Sequence, residues 1–285
     1  MERLKNNSFQ PSLYLKKGRK LMMKKYLYIY KATLIENLGY LSNILLGFIN
    51  FFVMMFVFLN LWQYMYSDSS QIINGYTMQQ MIWYVLISEV LWFGTRNKAL
   101  TTQISQDIKS GNIAYNINKP YNYIIYIISK HLGEITIKSI LFTIIGIFFG
   151  ICFIGPIENF NFINIPFILI SLILGILINS IIRISISIIS FWIEDSAPFH
   201  WVYDKFILLF GTLFPIEMFP KVLQPIMKFT PIFVVTYGPA KLIINFSMQN
   251  FINILIVQII YLVSVVLLGL YLYEKGVKKL NVNGG

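Results

Sequence analysis

A chain of 285 residues that is 56% hydrophobic and only 12% charged, with a mean hydropathy of +0.66, cannot cover itself with a water-facing surface, because a soluble domain carries about 25% charged residues. The composition defines an integral membrane protein. The formal charge of +11 does not point to nucleic acid, since the basic residues gather at the ends of apolar runs, where they meet anionic headgroups and cytosol.

Residues 1–25 form a basic arm, with Lys16, Lys17, Arg19 and Lys20 ahead of the first apolar run. The short apolar core and small-residue cleavage site of a signal peptide are not seen, so the arm is expected to stay attached and cytoplasmic. A single membrane domain follows over 26–280. A hydrocarbon core of about 30 Å needs about 20 apolar residues per helix. Five runs supply them: Leu41 to Trp62, Met78 to Thr95, Ile135 to Ile154, Ile165 to Phe191 and Asn250 to Tyr273. A sixth, His200 to Met218, is shorter and carries Asp204 and Lys205 near its start.

Charge placement decides the count. The loops after the first and third runs contain no Lys or Arg, whereas Arg96, Lys98, Lys109, Lys119 and Lys130 lie between the second and third, and Lys275, Lys278 and Lys279 lie in the tail. With the N-terminus inside, the positive-inside rule puts the tail in the cytosol and requires an even number of crossings. Six are expected. Residues 215–247 break the pattern: they should lie outside yet hold Lys221, Lys228 and Lys241, and Pro215, Pro220, Pro225, Pro231 and Pro239 forbid one continuous helix. Short broken helices entering the outer leaflet, or an interfacial loop, would satisfy both facts. Cys152, the single cysteine, sits in an apolar run and is expected to be a small buried packing residue.

The segment between the second and third spans is the least oily. In RNKALTTQISQDIKSGN, the residues Leu100, Ile104 and Ile108 recur at helical spacing and form one narrow apolar stripe. Gly111 supplies a stop and Pro120 blocks continuation, so a short amphipathic helix, a turn and a re-entry helix from about Tyr121 are expected. Such a stripe needs a partner surface, either the lipid interface or another protein.

That segment, together with FWIEDSA at the inner end of the fourth span and GTLFPIEMFPKVLQPIMKFTPIFVVTYGPA before the last, resembles the ABC-2 family of ABC-transporter permeases in block order and spacing over about Tyr26 to Lys279. The resemblance implies an all-α membrane fold of six transmembrane helices, of the type V exporter kind. It also implies an N-terminal interfacial helix, a cytoplasmic coupling helix between spans two and three, and short re-entrant helices before span six. The basic arm extends beyond the family's usual interfacial helix. The partners so implied are two ABC ATPase subunits, a second permease, identical or paralogous, and the lipid bilayer. Coupling to the ATPase would fall to Leu100, Ile104, Asp107, Ile108, Lys109, Gly111 and Asn112, with Glu194 and Asp195 of FWIED as a further contact or a solvated turn. Export of a drug-, peptide- or lipid-like substrate follows from the same resemblance. A non-transporting sensor or immunity partner of the same fold, and a membrane-embedded lipid-modifying enzyme, are the alternatives.

The residues themselves offer little catalytic chemistry. No G-x-x-x-x-G-K-S/T loop occurs, so ATP and Mg are expected on the partner ATPase and no cofactor on this chain. Two histidines, His131 and His200, without a cysteine cluster, predict no metal site and no catalytic residue. His200 and Asp204, four apart, are expected to share an interfacial hydrogen bond. Glu89 is the deepest charge, and an ionised carboxylate at mid-membrane costs on the order of 2.5 to 3.5 kcal/mol. It is either a gating or cation-binding group of the translocation path or a packing residue paired to a neighbouring helix. Arg183, near the inner end of span four, is placed to snorkel. Gly211, Pro215, Pro220 and Pro231 complete the candidates for the path and its gate.

Overall fold

The computed structural model describes residues 11–39, 41–66, 68, 71–193 and 195–283. It is a helical bundle. Helix α1 (Pro11–Leu38) begins inside the basic arm and is followed by α2 (Leu41–Met65). A two-residue-per-strand hairpin, β1 (Ile72–Ile73) and β2 (Tyr76–Thr77), turns tightly on Asn74-Gly75. Then come α3 (Met78–Thr95), α4 (Lys98–Lys109), α5 (Asn112–Ile117) and α6 (Tyr123–Phe153). Two long helices, α7 (Ile165–Ile188) and α11 (Met248–Asn283), frame the rest. Between them lie α8 (Ala197–Ile207), α9 (Gln224–Lys228) and α10 (Gly238–Ile244), with π-helical turns at Leu208–Thr212 and Phe233–Tyr237.

Among the described residues, four helical stretches are long and apolar enough to cross a membrane: Ile44–Met65, Tyr123–Phe153, Phe162–Phe191 and Met248–Lys279. The other two expected spans are helical but fall short of that standard. Helix α3 has only 18 residues, among them Gln79, Gln80 and Glu89, and nine consecutive residues from Met81 to Glu89 are buried. It is the central post of the bundle, packed on α2 and α6. A helix enclosed by protein can carry polar groups that a lipid-facing one cannot. Its start is locked by a capping box between Thr77 and Gln80, and Trp83 Nε1 donates to the Gly155 carbonyl beyond α6 at 3.0 Å.

Helix α1 lies along the first half of α6. The Tyr30 and Thr136 hydroxyls are 3.2 Å apart, the Asn122 amide donates to the Tyr26 hydroxyl at 2.8 Å, and Lys25 Nζ donates to the Pro120 carbonyl. The helix therefore starts within the expected arm, at Pro11, and does not wait for residue 26. Cys152 corrects the expectation of a buried thiol: it is exposed on the flank of α6, where a sulfhydryl is small and apolar enough to face hydrocarbon.

Candidate functional site

Helix α4 and the shorter α5 form a corner at one end of the bundle, separated by Ser110 and Gly111. Gly111 takes φ +77, a left-handed conformation that ends α4 and lets α5 start at once. The expected plain turn between α4 and the next long helix thus contains α5. The long helix begins at Tyr123, where the Asn122 side chain caps the Ile125 amide.

The apolar stripe of α4 has found its partner within the chain. Ile104 and Ile108 are buried with Ile113 against Ile184, Ile188 and Phe191, at the end of α7. These isoleucines anchor the corner and do not face outward, contrary to the role expected of them. Their spacing predicted a contact surface but could not say that the surface was the chain's own bundle. The Tyr123 hydroxyl donates to Asp107 at 3.2 Å, a second tie to the bundle. Exposed at the corner are Lys109, Ser110, Gly111, Asn112 and Tyr115. Asp195 is exposed too, its carboxylate accepting from the Ala197 amide at 2.9 Å at the start of α8. Glu194 and the side chain of Leu100 lie outside the described residues.

A buried hydroxyl chain fastens α4 to the elbow between α7 and α8. Ser105 Oγ lies 2.6 Å from Ser196 Oγ and accepts from Ser190 Oγ at 3.0 Å. One turn away, His200 Nε2 and Ser187 Oγ are 2.9 Å apart. The expected His200–Asp204 bond is not the arrangement adopted. Asp204 instead meets Arg183 at 2.8 Å, with Arg96 farther away at 3.8 Å. Nor does Arg183 snorkel: it is only 4% exposed and its guanidinium lies over the rings of Trp92 and Tyr203, at 5.6 and 5.3 Å. An arginine so deep needs both a counter-charge and soft neighbours. Its Nε and the Nδ1 of His200 have no hydrogen-bond partner. Beside them opens a cavity of about 680 Å³ between α4, the α7–α8 elbow and the end of α3.

Glu89 occupies neither this cluster nor an ion pair. It is 1% exposed, and both carboxylate oxygens are without a hydrogen-bond partner. It forms no pair with Arg183, whose guanidinium is engaged by Asp204.

At the opposite end, the hairpin meets the proline-rich block through Glu217. One carboxylate oxygen accepts from Tyr76 at 3.0 Å, the other from Tyr237 at 2.6 Å and Lys241 at 3.0 Å. Lys241 also reaches the Tyr76 hydroxyl at 2.8 Å and lies 4.4 Å from its ring centroid. Burial alone would raise the Glu217 pKa, but the Lys241 charge and the donors outweigh it and hold the carboxyl below its usual range. Burial, followed by the nearby Glu217 charge, raises the phenol of Tyr76, which keeps it a donor. The lysine that looked misplaced on the outer side is thus neutralised locally. Glu217, the single carboxylate of the proline-rich block, was the available signal and sequence reading passed over it. Asp204 stood out as a charge in a short span and as a partner for His200, not for Arg183, and the serines carried no signal at all.

The candidate glycine and prolines shape this end. A Cβ on Gly211 would come within 2.5 Å of Thr236 Oγ1 and 2.9 Å of Ile232 Cγ2, so only glycine lets the two π turns touch. Its carbonyl accepts from the Tyr84 hydroxyl at 2.6 Å. Pro215 is extended and opens the 3-10 turn Ile216–Met218, Pro220 accepts from Leu223 and Gln224 ahead of α9, and Pro231 starts the helical run into α10.

A bundle with four long apolar helices among the described residues is a multi-pass membrane protein. The model of the ABC-2 family of transporter proteins matches residues 52–284, and the chain belongs to that family. It is therefore a membrane permease component of an ABC transporter, of a kind associated with ABC ATPase subunits. A search of curated proteins returns no match.

Proposed function

We propose that this chain is the transmembrane subunit of an ATP-driven exporter, moved by separate ATPase subunits that grip the α4–α5 corner. The observation that carries this is the two-sided construction of the corner. Its inner face is fixed to α7 by Ile104, Ile108 and the serine chain, while Lys109, Ser110, Asn112 and Tyr115 stand exposed. A push on that tip is delivered to the elbow between two helices, which is the design of a lever.

In this reading the chain crosses the bilayer six times with both termini in the cytosol. Helix α3 spans about 27 Å at 1.5 Å per residue, and the run 197–212 about 24 Å, close to a bilayer core where protein shields its ends. The proline-rich block then lies on the outer side as re-entrant segments. Two ATPases carrying ATP and Mg, and a second permease, complete the assembly. Glu89, Arg183, Gly211, Pro215, Pro220 and Pro231 border the elements that would move. The test is Lys109→Glu combined with Tyr115→Ala, both exposed positions. The expected result is loss of ATPase co-purification and of transport in vesicles, with the permease still folded. Survival of both activities would remove the coupling role.

A further inference from the structure

Apart from Lys109, which the corner shares, the charges of the cavity at the α4 end are ones that coupling does not use. Its described wall holds four cations, Arg96, Lys98, Lys109 and Arg183, against two carboxylates, Asp195 and Asp204. Asp204 is ion-paired with the two arginines, although its Oδ1 has no hydrogen-bond partner, and Asp195 accepts from the Ala197 amide. Lys98 and Lys109 are exposed along the wall. Deeper in, the buried Arg183 has an Nε with no hydrogen-bond partner, and His200, also in the wall, has an unpartnered Nδ1. The hydroxyls of Thr101, Thr102, Ser105 and Ser196 also line the space. A buried guanidinium N–H without an acceptor beside an open volume is costly unless something supplies an acceptor there.

We infer that this cavity takes the phosphate-bearing headgroup of a membrane amphiphile, held by Arg96, Lys98 and Arg183. A phosphate offers several acceptor oxygens and a negative charge, matching guanidinium and ammonium donors, whereas a neutral drug would leave them unsatisfied. The volume of about 680 Å³ is in the size class of sites for small organic groups. Trp201, in the wall and 62% exposed, has the amphipathic ring typical of the headgroup level, and Lys205 lies 5.8 Å from its centroid. The inference rests on the exporter reading for its consequence: the transported or regulating molecule would be anionic and amphiphilic.

Native mass spectrometry of the full-length chain, released from bilayers of equal phosphatidylglycerol and phosphatidylcholine, tests it without any ATPase. The expected result is retention of phosphatidylglycerol over phosphatidylcholine by about five-fold per engaged surface charge. Arg96→Gln with Lys98→Gln should bring the two lipids near parity, while Lys275→Gln with Lys278→Gln, in the tail, should leave the preference intact. Parity in the unmodified chain, or a preference that survives Arg96→Gln with Lys98→Gln, would overturn the proposal. So would an equal loss in the tail variant, which would reduce the effect to overall charge. Displacement of the lipid by inorganic phosphate would assign the cavity to a soluble phosphate and refute the amphiphile. If Arg96→Gln with Lys98→Gln abolished ATPase capture with lipid retention unchanged, the cavity would be an ATPase seat and the headgroup assignment wrong. Because Tyr115 lies outside the cavity wall, Tyr115→Ala alone tests the corner, and either reading can fail while the other stands.

Discussion

The two polar clusters of this bundle are built to different standards. At the hairpin end, Glu217 has both oxygens engaged by Tyr76, Tyr237 and Lys241, and the group joins three segments with short hydrogen bonds. At the α4 end, Arg183 has a counter-ion in Asp204 but leaves Nε unsatisfied, as His200 leaves Nδ1, next to an open cavity. A closed network rigidifies, whereas one with unpartnered polar atoms stores the capacity to bind. The same kinds of residue therefore make a fastening at one end and a receptive site at the other.

The sharpest way to break this contrast is at Asp204. Asp204→Ala leaves the Arg183 charge buried and unpaired, and the expected cost is about 3–5 kcal/mol, seen as a collapse of the folded yield and melting temperature in detergent. Arg183→Met with Asp204→Leu should recover most of that stability. If Asp204→Ala melts like the parent, the ion pair is not what holds the elbow. At the other end, Gly211→Val forces a side chain between the π turns and is expected to cost about 1–3 kcal/mol by overpacking. Scanning calorimetry would measure it, and an unchanged melting temperature would mean that the turns can separate freely.

The Glu217 cluster sets a pH dependence. A carboxyl held below its ordinary value contributes stability that is present above the unfolded pKa near 4.5 and is lost as pH falls through the lower folded value. Melting curves should therefore fall off below that pH, and Glu217→Gln should flatten the slope while lowering stability at neutral pH. An acid slope that is unaltered in Glu217→Gln would place its origin elsewhere. The smallest effect is expected at the serine chain: Ser196→Ala removes one contact of Ser105 and should cost about 1 kcal/mol, with a larger fall in the ratio of transport to ATP hydrolysis. Equal retention of transport would make those hydroxyls simple packing.

Hydropathy and basic residues made the long helices legible, and the Leu100–Ile104–Ile108 spacing located α4. The stripe's direction was not legible, because periodicity marks an apolar face without saying what covers it. Pairings escaped for a similar reason. Arg183 and Asp204 are 21 positions apart on different helices, and nothing local distinguishes a buried ion pair from a snorkelling cation. Helix α3 was read as an ordinary span because its charge, Glu89, sits among apolar neighbours. Its true character, a post enclosed by the bundle, emerges only from packing. In the proline-rich block the breaks were plain, yet the carboxylate that ties them down was one letter among many.

The π turn at Leu208–Thr212 carries a consequence for how this chain tolerates change. There the Leu213 amide donates to the Leu208 carbonyl, five residues back, so the helix holds one residue more than regular winding would. Excising a single residue from the turn would return it to ordinary winding with the flanking segments still in phase, whereas excising one from the regular winding of α8 ahead of it would swing everything downstream by about 100°. Phe214, packed on Trp62, would keep its place in the first case and point elsewhere in the second. A one-codon deletion should thus be better tolerated inside this turn than in the helix that leads into it.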